Sequence, residues 1–126
     1  MSKKEKDYII FLEDILEAIE KIEKYTQNLT YQEFCKNEMV VDAVIRNFEV
    51  IGEAANNVPQ EIRELYSEVE WREAISFRNV LIHDYFGFYV ETVWDTIKKN
   101  IPSLKNHITL ALNAERKKNH DKTGRS

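Results

Sequence analysis

The sequence predicts an all-α protein, an antiparallel up-and-down bundle of four or five main helices. Three observations carry this. Apolar residues recur at helical spacing along most of the chain, two Ser/Thr-x-x-Glu pairs (Thr30 with Glu33, Ser67 with Glu70) mark helix starts, and no stretch alternates with the period of a strand.

Tyr8, Leu12, Ile15, Ile19 and Ile22 stand at i, i+4, i+7, i+11 and i+14, which makes residues 7–25 a core-facing helix with Glu and Lys on its other side. Thr30 opens the next helical stretch, residues 30–58, where Val40, Val44, Phe48, Ile51, Ala55 and Val58 give a face broad enough for a central helix with neighbours on two sides. A break is expected near Asn37, and Pro59 either ends the stretch or opens a short helix through Tyr66. On this helix Arg46, Glu49 and Glu53 fall at spacings of three, four and seven, a set for surface or inter-helix ion pairs; exposed pairs contribute under ~1 kcal/mol. Ser67 to Gly87 reads as one helix, capped by Ser67 with Glu70 and closed by Gly87. Val90, Val93, Trp94 and Ile97 define another over residues 89–100. Pro102 then suits the first turn of a last helix carrying Leu104, Ile108, Ala111 and Leu112, with His107 one position off the apolar row, at its boundary.

At 126 residues the chain makes one domain, residues 1–115, followed by a basic tail, 116–126, that has nothing apolar to bury and is predicted disordered. Hydrophobic residues at 43% and charged residues at 32% fit a soluble globular protein, and no apolar run approaches the ~20 residues of a membrane span. The charged N-terminus is unlike a signal peptide, so a cytoplasmic protein is expected. Cys35 is the single cysteine, which excludes an internal disulfide and suits a partly buried small hydrophobe. The three histidines lack metal-ligand spacing and the three glycines form no phosphate loop, so neither a metal nor a nucleotide cofactor is expected. A net charge of −4 argues against a broad nucleic-acid footprint, leaving room only for a local RNA contact.

The chemistry concentrates at the end of the Ser67–Gly87 stretch, where an otherwise apolar turn carries Arg78, Asn79, His83 and Tyr85. Histidine exchanges a proton near neutral pH, arginine forks onto phosphate oxygens, asparagine holds a substrate or the imidazole in register, and tyrosine offers a hydroxyl. Asn79 and His83 are an i, i+4 pair, while Arg78 and His83 diverge by roughly 140° on an ideal helix. Three arrangements reconcile them: the helix loosens near its end, the Arg side chain bends round, or a second copy of the chain completes the site. A plain core helix whose polar groups hydrogen-bond their neighbours fits the spacing equally well.

Arg78-Asn79-Val80-Leu81-Ile82-His83-Asp84-Tyr85 resembles the R-x4-H-x-Y motif of HepT-type toxins in the HEPN superfamily of small all-helical ribonucleases. Ile51-Gly52-Glu53-Ala54 is similar to a segment that family carries on an earlier helix, and length and helix order fit over residues 7–116. The resemblance implies a metal-independent endoribonuclease toxin acting as a homodimer, with His83 as general acid or base, Arg78 stabilising phosphate charge, Asn79 positioning, and Glu53 orienting the active helix. It also implies an MntA-like nucleotidyltransferase antitoxin that transfers AMP to the hydroxyl of Tyr85. A non-catalytic HEPN-like module that docks a nucleotidyltransferase is the alternative.

Overall fold

A computed structural model describes residues 3–80 and 88–124 of the chain, and every regular element among them is a helix. There are seven: α1 (Lys3–Thr26), α2 (Tyr31–Lys36), α3 (Glu38–Asn57), α4 (Gln60–Leu65), α5 (Trp71–Val80), α6 (Phe88–Lys99) and α7 (Ile101–Gly124). Two of them, α2 and α4, are six residues long, which leaves five main helices among the described residues: an all-α bundle as the periodicity predicts, in keeping with the HEPN-like architecture that the resemblance implies. No helix among the described residues is long and apolar enough to cross a membrane.

The stripe on α1 is the floor of the core: Leu12, Ile15, Ile19 and Ile22 are each fully buried. α1 lies between α3 and α7. Its ion pairs to α7, Glu13 with Arg116 and Glu23 with Lys105, join early residues to late ones and later to earlier, so the two helices run antiparallel. α3 is the central element, packed on α1, α2 and α5, and its broad apolar face buries Val44, Phe48, Ile51 and Ala55. Phe48 meets Phe77 of α5 edge-on at 4.9 Å.

The break near Asn37 is real and has a local cause. Its backbone N–H donates to the Phe34 carbonyl at 3.1 Å, closing α2, and its Oδ1 accepts from the Val40 N–H at 3.1 Å, opening α3. Thr30 forms the full capping box with Glu33, one bond each way at 3.1 and 2.9 Å. Phe34 faces inward, fully buried beneath Trp94 of α6 at 5.0 Å. Cys35 is exposed, contrary to the expectation of partial burial, because the next residue on a helix points about 100° away from Phe34.

Two further expectations are corrected. α5 starts at Trp71, and Ser67 stands in the turn after α4 instead of capping it. The turn is held by the buried Trp71 indole, whose Nε1–H donates to the carbonyls of Tyr66 at 2.9 Å and Arg63 at 3.1 Å. At the other end α7 continues through Gly124, across the stretch predicted to be a disordered tail. Its entry into that stretch is tethered: Arg116 reaches Glu13 of α1 at 3.0 Å, and Lys118 reaches Glu115 at 3.2 Å while lying over the Tyr66 ring. Pro102 is the second residue of α7, the first-turn place its missing N–H suits.

Candidate functional site

The candidate site is built where α3 crosses α5. Gly52 is buried against Arg78: a Cβ placed on Gly52 would lie 2.9 Å from both the Cβ and the backbone nitrogen of Arg78 and 3.2 Å from the Ile75 carbonyl. Only a residue without a side chain lets the two backbones approach this closely. The next residue on α3, Glu53, then comes within reach, and its Oε1 accepts from Arg78 Nη1 at 2.9 Å. The Arg78 side chain is 31% exposed and that of Glu53 62%, so the pair sits at the surface with the guanidinium partly sunk. Arg78 Nε is buried and has no hydrogen-bond partner among the described residues.

Beside this pair an open groove of about 460 Å³ runs between α1 and α3. Its apolar lining is Phe11, Val50 and Ala54; its charged lining is Asp14, Arg46, Glu49, Glu53 and Arg78. The charges are mostly committed. Arg46 pairs with Glu49 at 3.7 Å, a surface pair of the kind that the spacing predicts, and Glu53 takes its inter-helix partner, Arg78, from α5. Asp14 makes no hydrogen bond or ion pair with a described residue, and burial, together with its neighbours Glu17 and Glu13, pushes its carboxyl above the usual carboxylate range. Sequence reasoning missed Asp14 as a site residue; its only signal is its position at the flank of the α1 stripe, between Phe11 and Ala18.

Of the residues expected to carry function, the fold brings Arg78 and Glu53 together. Asn79 belongs to α5 by its backbone, one residue on from Arg78. His83 and Tyr85 lie outside the described residues. Among the described residues no group of three or more His, Cys, Asp or Glu side chains is gathered to hold a metal ion.

Two other polar nodes brace the bundle away from the groove. The Glu115 carboxylate on α7 is buried, accepting from the hydroxyls of Tyr8 and Tyr66 and from Lys118. Burial alone would raise its pKa, but those three donors outweigh burial and hold it low, and Tyr66 is pushed up by its burial and by the carboxylate it faces. Glu70, immediately before α5, accepts from the Ser103 hydroxyl and meets His107 Nδ1 at 2.8 Å, which ties the start of α5 to α7. Its burial is likewise outweighed by the bonds from Ser103, His107 and its own backbone, so its pKa is lowered.

Residues 15–110 match the family model described as Ribonuclease HepT-like. Among curated relatives, a "Probable ribonuclease HepT" of Thermococcus cleftensis is 46% identical over 105 residues, 83% of this chain and 93% of that protein. A "Putative RNase" of Caldanaerobacter subterraneus is 37% identical over 106 residues, 84% of this chain and 95% of that protein. A longer protein of Methanocaldococcus jannaschii, "Gamma-glutamylcyclotransferase and putative RNase", is 46% identical over 103 residues, which are 82% of this chain but only 46% of that protein. No solved structure matches the chain. On these matches the chain belongs to the HepT-like ribonuclease family.

Proposed function

We propose that the protein is a metal-independent endoribonuclease, the toxin of a toxin–antitoxin pair, which cleaves RNA through Arg78, Asn79 and His83. The observation that carries the reading is the Arg78–Glu53 pair at the Gly52 crossing, in a chain whose relatives bear ribonuclease names. A guanidinium fixed on one side by a carboxylate is oriented before substrate arrives, and an always-charged fork is the side chain best suited to a phosphodiester. In this reading the ribose 2′-hydroxyl attacks the adjacent phosphorus, His83 moves a proton, and Arg78 offsets charge on the phosphoryl oxygens. The requirement for a 2′-hydroxyl restricts the substrate to RNA. The working form is a homodimer in which two copies of the cluster share a cleft, and the cognate antitoxin is a nucleotidyltransferase that modifies Tyr85.

The test is cleavage of RNA by purified wild type, Arg78→Ala and His83→Ala, with circular dichroism to show that the helices remain. Loss of cleavage in both variants with the fold intact is the expected result; wild-type rates in His83→Ala overturn the assignment.

Two observations favour a second reading, a non-catalytic docking module for a nucleotidyltransferase: the groove beside Arg78 carries three carboxylates against two guanidiniums, and the whole chain is acidic, both unfavourable to RNA phosphate. A docking module expressed without its partner leaves RNA intact and cell growth normal.

A further inference from the structure

Cleavage by a 2′-hydroxyl moves two protons. One leaves the attacking hydroxyl, and another must reach the departing 5′-oxygen as the P–O5′ bond breaks and the 2′-O–P bond forms. The residues of the proposed reading include a single imidazole, so within one copy of the chain one proton carrier is unassigned. The groove at Arg78 offers four candidates besides Arg78 itself, and their pairing separates them: Glu53 is held by Arg78, and Glu49 and Arg46 hold each other. Asp14 is left. It lines the same groove, half-buried on α1, without a partner among the described residues.

We propose that Asp14 is the second proton-transfer group, the general acid that protonates the 5′-oxygen while Arg78 steadies the phosphate. The carboxylic acid gives its proton to the leaving oxygen, the imidazole takes the one from the 2′-hydroxyl, and exchange with water restores both after the cyclic phosphate departs. An acid must hold a proton to give one, and the surroundings favour this. Glu13 and Glu17 flank Asp14 on its own helix, Glu49 and Glu53 face it from α3, and burial removes water. Two cations line the groove with it, Arg46 on α3 and Arg78 on α5, and each is paired with a different carboxylate, Glu49 and Glu53; Arg116 on α7 is held by Glu13, the residue before Asp14. A carboxyl placed so works against the fold at neutral pH, since the fold favours its protonated form. Asparagine at this position should therefore leave stability equal or higher.

The inference rests on the ribonuclease reading, and the experiment separates the two. Cleavage of an oligoribonucleotide is measured against pH for wild type, Asp14→Asn and Asp14→Glu, with melting curves for each, and then repeated on a substrate carrying bridging sulfur in place of the 5′-oxygen at the mapped cleavage position. Thiolate leaves without a proton, so loss of a general acid is masked on that substrate alone. The expected result is that Asp14→Asn lowers kcat on normal RNA about 100-fold or more with little change in KM, loses the alkaline limb of the pH profile, melts no lower than wild type, and recovers near-wild-type rates on the sulfur substrate; Asp14→Glu keeps part of the activity. Wild-type kcat and pH profile in Asp14→Asn overturn the inference while leaving the ribonuclease reading standing, and so does an equal defect on both substrates. Absence of cleavage by the wild type overturns both.

Discussion

Gly52 and Arg78 touch through their backbones, with room for no side chain between them. In the middle of a helix, exchanging glycine for alanine ordinarily stabilises by roughly 0.5–1 kcal/mol. At this crossing the added methyl meets backbone that cannot swing aside, and overpacking of that kind costs about 1–3 kcal/mol. The second effect is larger, so Gly52→Ala should lower the melting temperature. Because α5 must move off α3, the Glu53–Arg78 bond should lengthen and RNA cleavage should fall by more than the loss of folded protein explains. A variant that melts higher than wild type would contradict the crossing.

Glu53 should behave in the opposite way. Its side chain is well exposed, and ion pairs in that setting are worth under ~1 kcal/mol. Glu53→Gln should therefore melt within a degree or two of wild type. Losing the carboxylate frees the guanidinium to wander, and misplacement of that sort costs roughly tenfold or more in rate. Cleavage kinetics beside a melting curve read the two effects separately, and an unchanged rate would mean Glu53 does not orient Arg78.

The Glu115 node predicts stability that falls at both ends of the pH scale. The folded carboxyl lies below its ordinary 4.5, so its contribution is present above that value and is lost as pH falls through the folded pKa. Tyr66 lies above its ordinary 10.0, so its contribution is present below that pH and declines as the unfolded phenol ionises first. Glu115→Ala, which strands two tyrosine hydroxyls, should cost on the order of 2–3 kcal/mol at neutral pH and flatten both limbs. Urea unfolding between pH 3 and 11 measures this; limbs of unchanged steepness in the variant would locate the titration elsewhere.

Ser103 and His107 share one acceptor, so their removals should not add. Ser103→Ala and His107→Ala should each cost about 0.5–1.5 kcal/mol, and the double variant should differ from their sum by more than the ~0.5 kcal/mol expected of independent sites. A double-mutant cycle by chemical denaturation decides it. Strict additivity would show that Glu70 does not couple them.

Tyr85 is expected to carry the antitoxin's modification. Coexpression with the cognate nucleotidyltransferase should add mass in AMP steps, each bringing a phosphodiester anion that competes with RNA phosphate for Arg78. Intact-mass measurement checks it, with Tyr85→Phe as the blank. Full neutralisation of a toxin that gains no mass would mean inhibition by binding alone.

The helices were legible because their signals are local. Thr30 and Glu33 are three residues apart and satisfy each other, and Asn37 needs only the backbone three residues to either side. Ser67 and Glu70 display the same pattern and mislead, because the Glu70 carboxylate is engaged by Ser103 and His107, 33 and 37 residues away. Distant partners leave no mark on spacing. The Glu53–Arg78 pair was half legible: a carboxylate on a helix face announces some ion pair, while the partner 25 residues on depends on how α3 and α5 cross. Asp14 was barely legible, since an acid at the flank of the α1 stripe, among Glu13 and Glu17, reads as a solvated face until α3 is laid against it. The tail was misjudged for a related reason: Arg116 looks like an unattached charge until Glu13, 103 residues away, is placed beside it.

The turn at Asn37 has a reach beyond its own two bonds. Were residue 37 a strong helix former, α2 and α3 would tend to fuse into a single rod from Tyr31 to Asn57, and Phe34 would be carried out of its socket. Trp94 would lose the ring it rests on, and with it α6 would lose its hold on this side of the bundle. The seating of Trp94, and of α6 with it, thus hangs on one carboxamide 57 residues upstream. Such a joint is a point of leverage for an engineer: stiffening or relaxing it would retune the far end of the molecule without touching a single residue there.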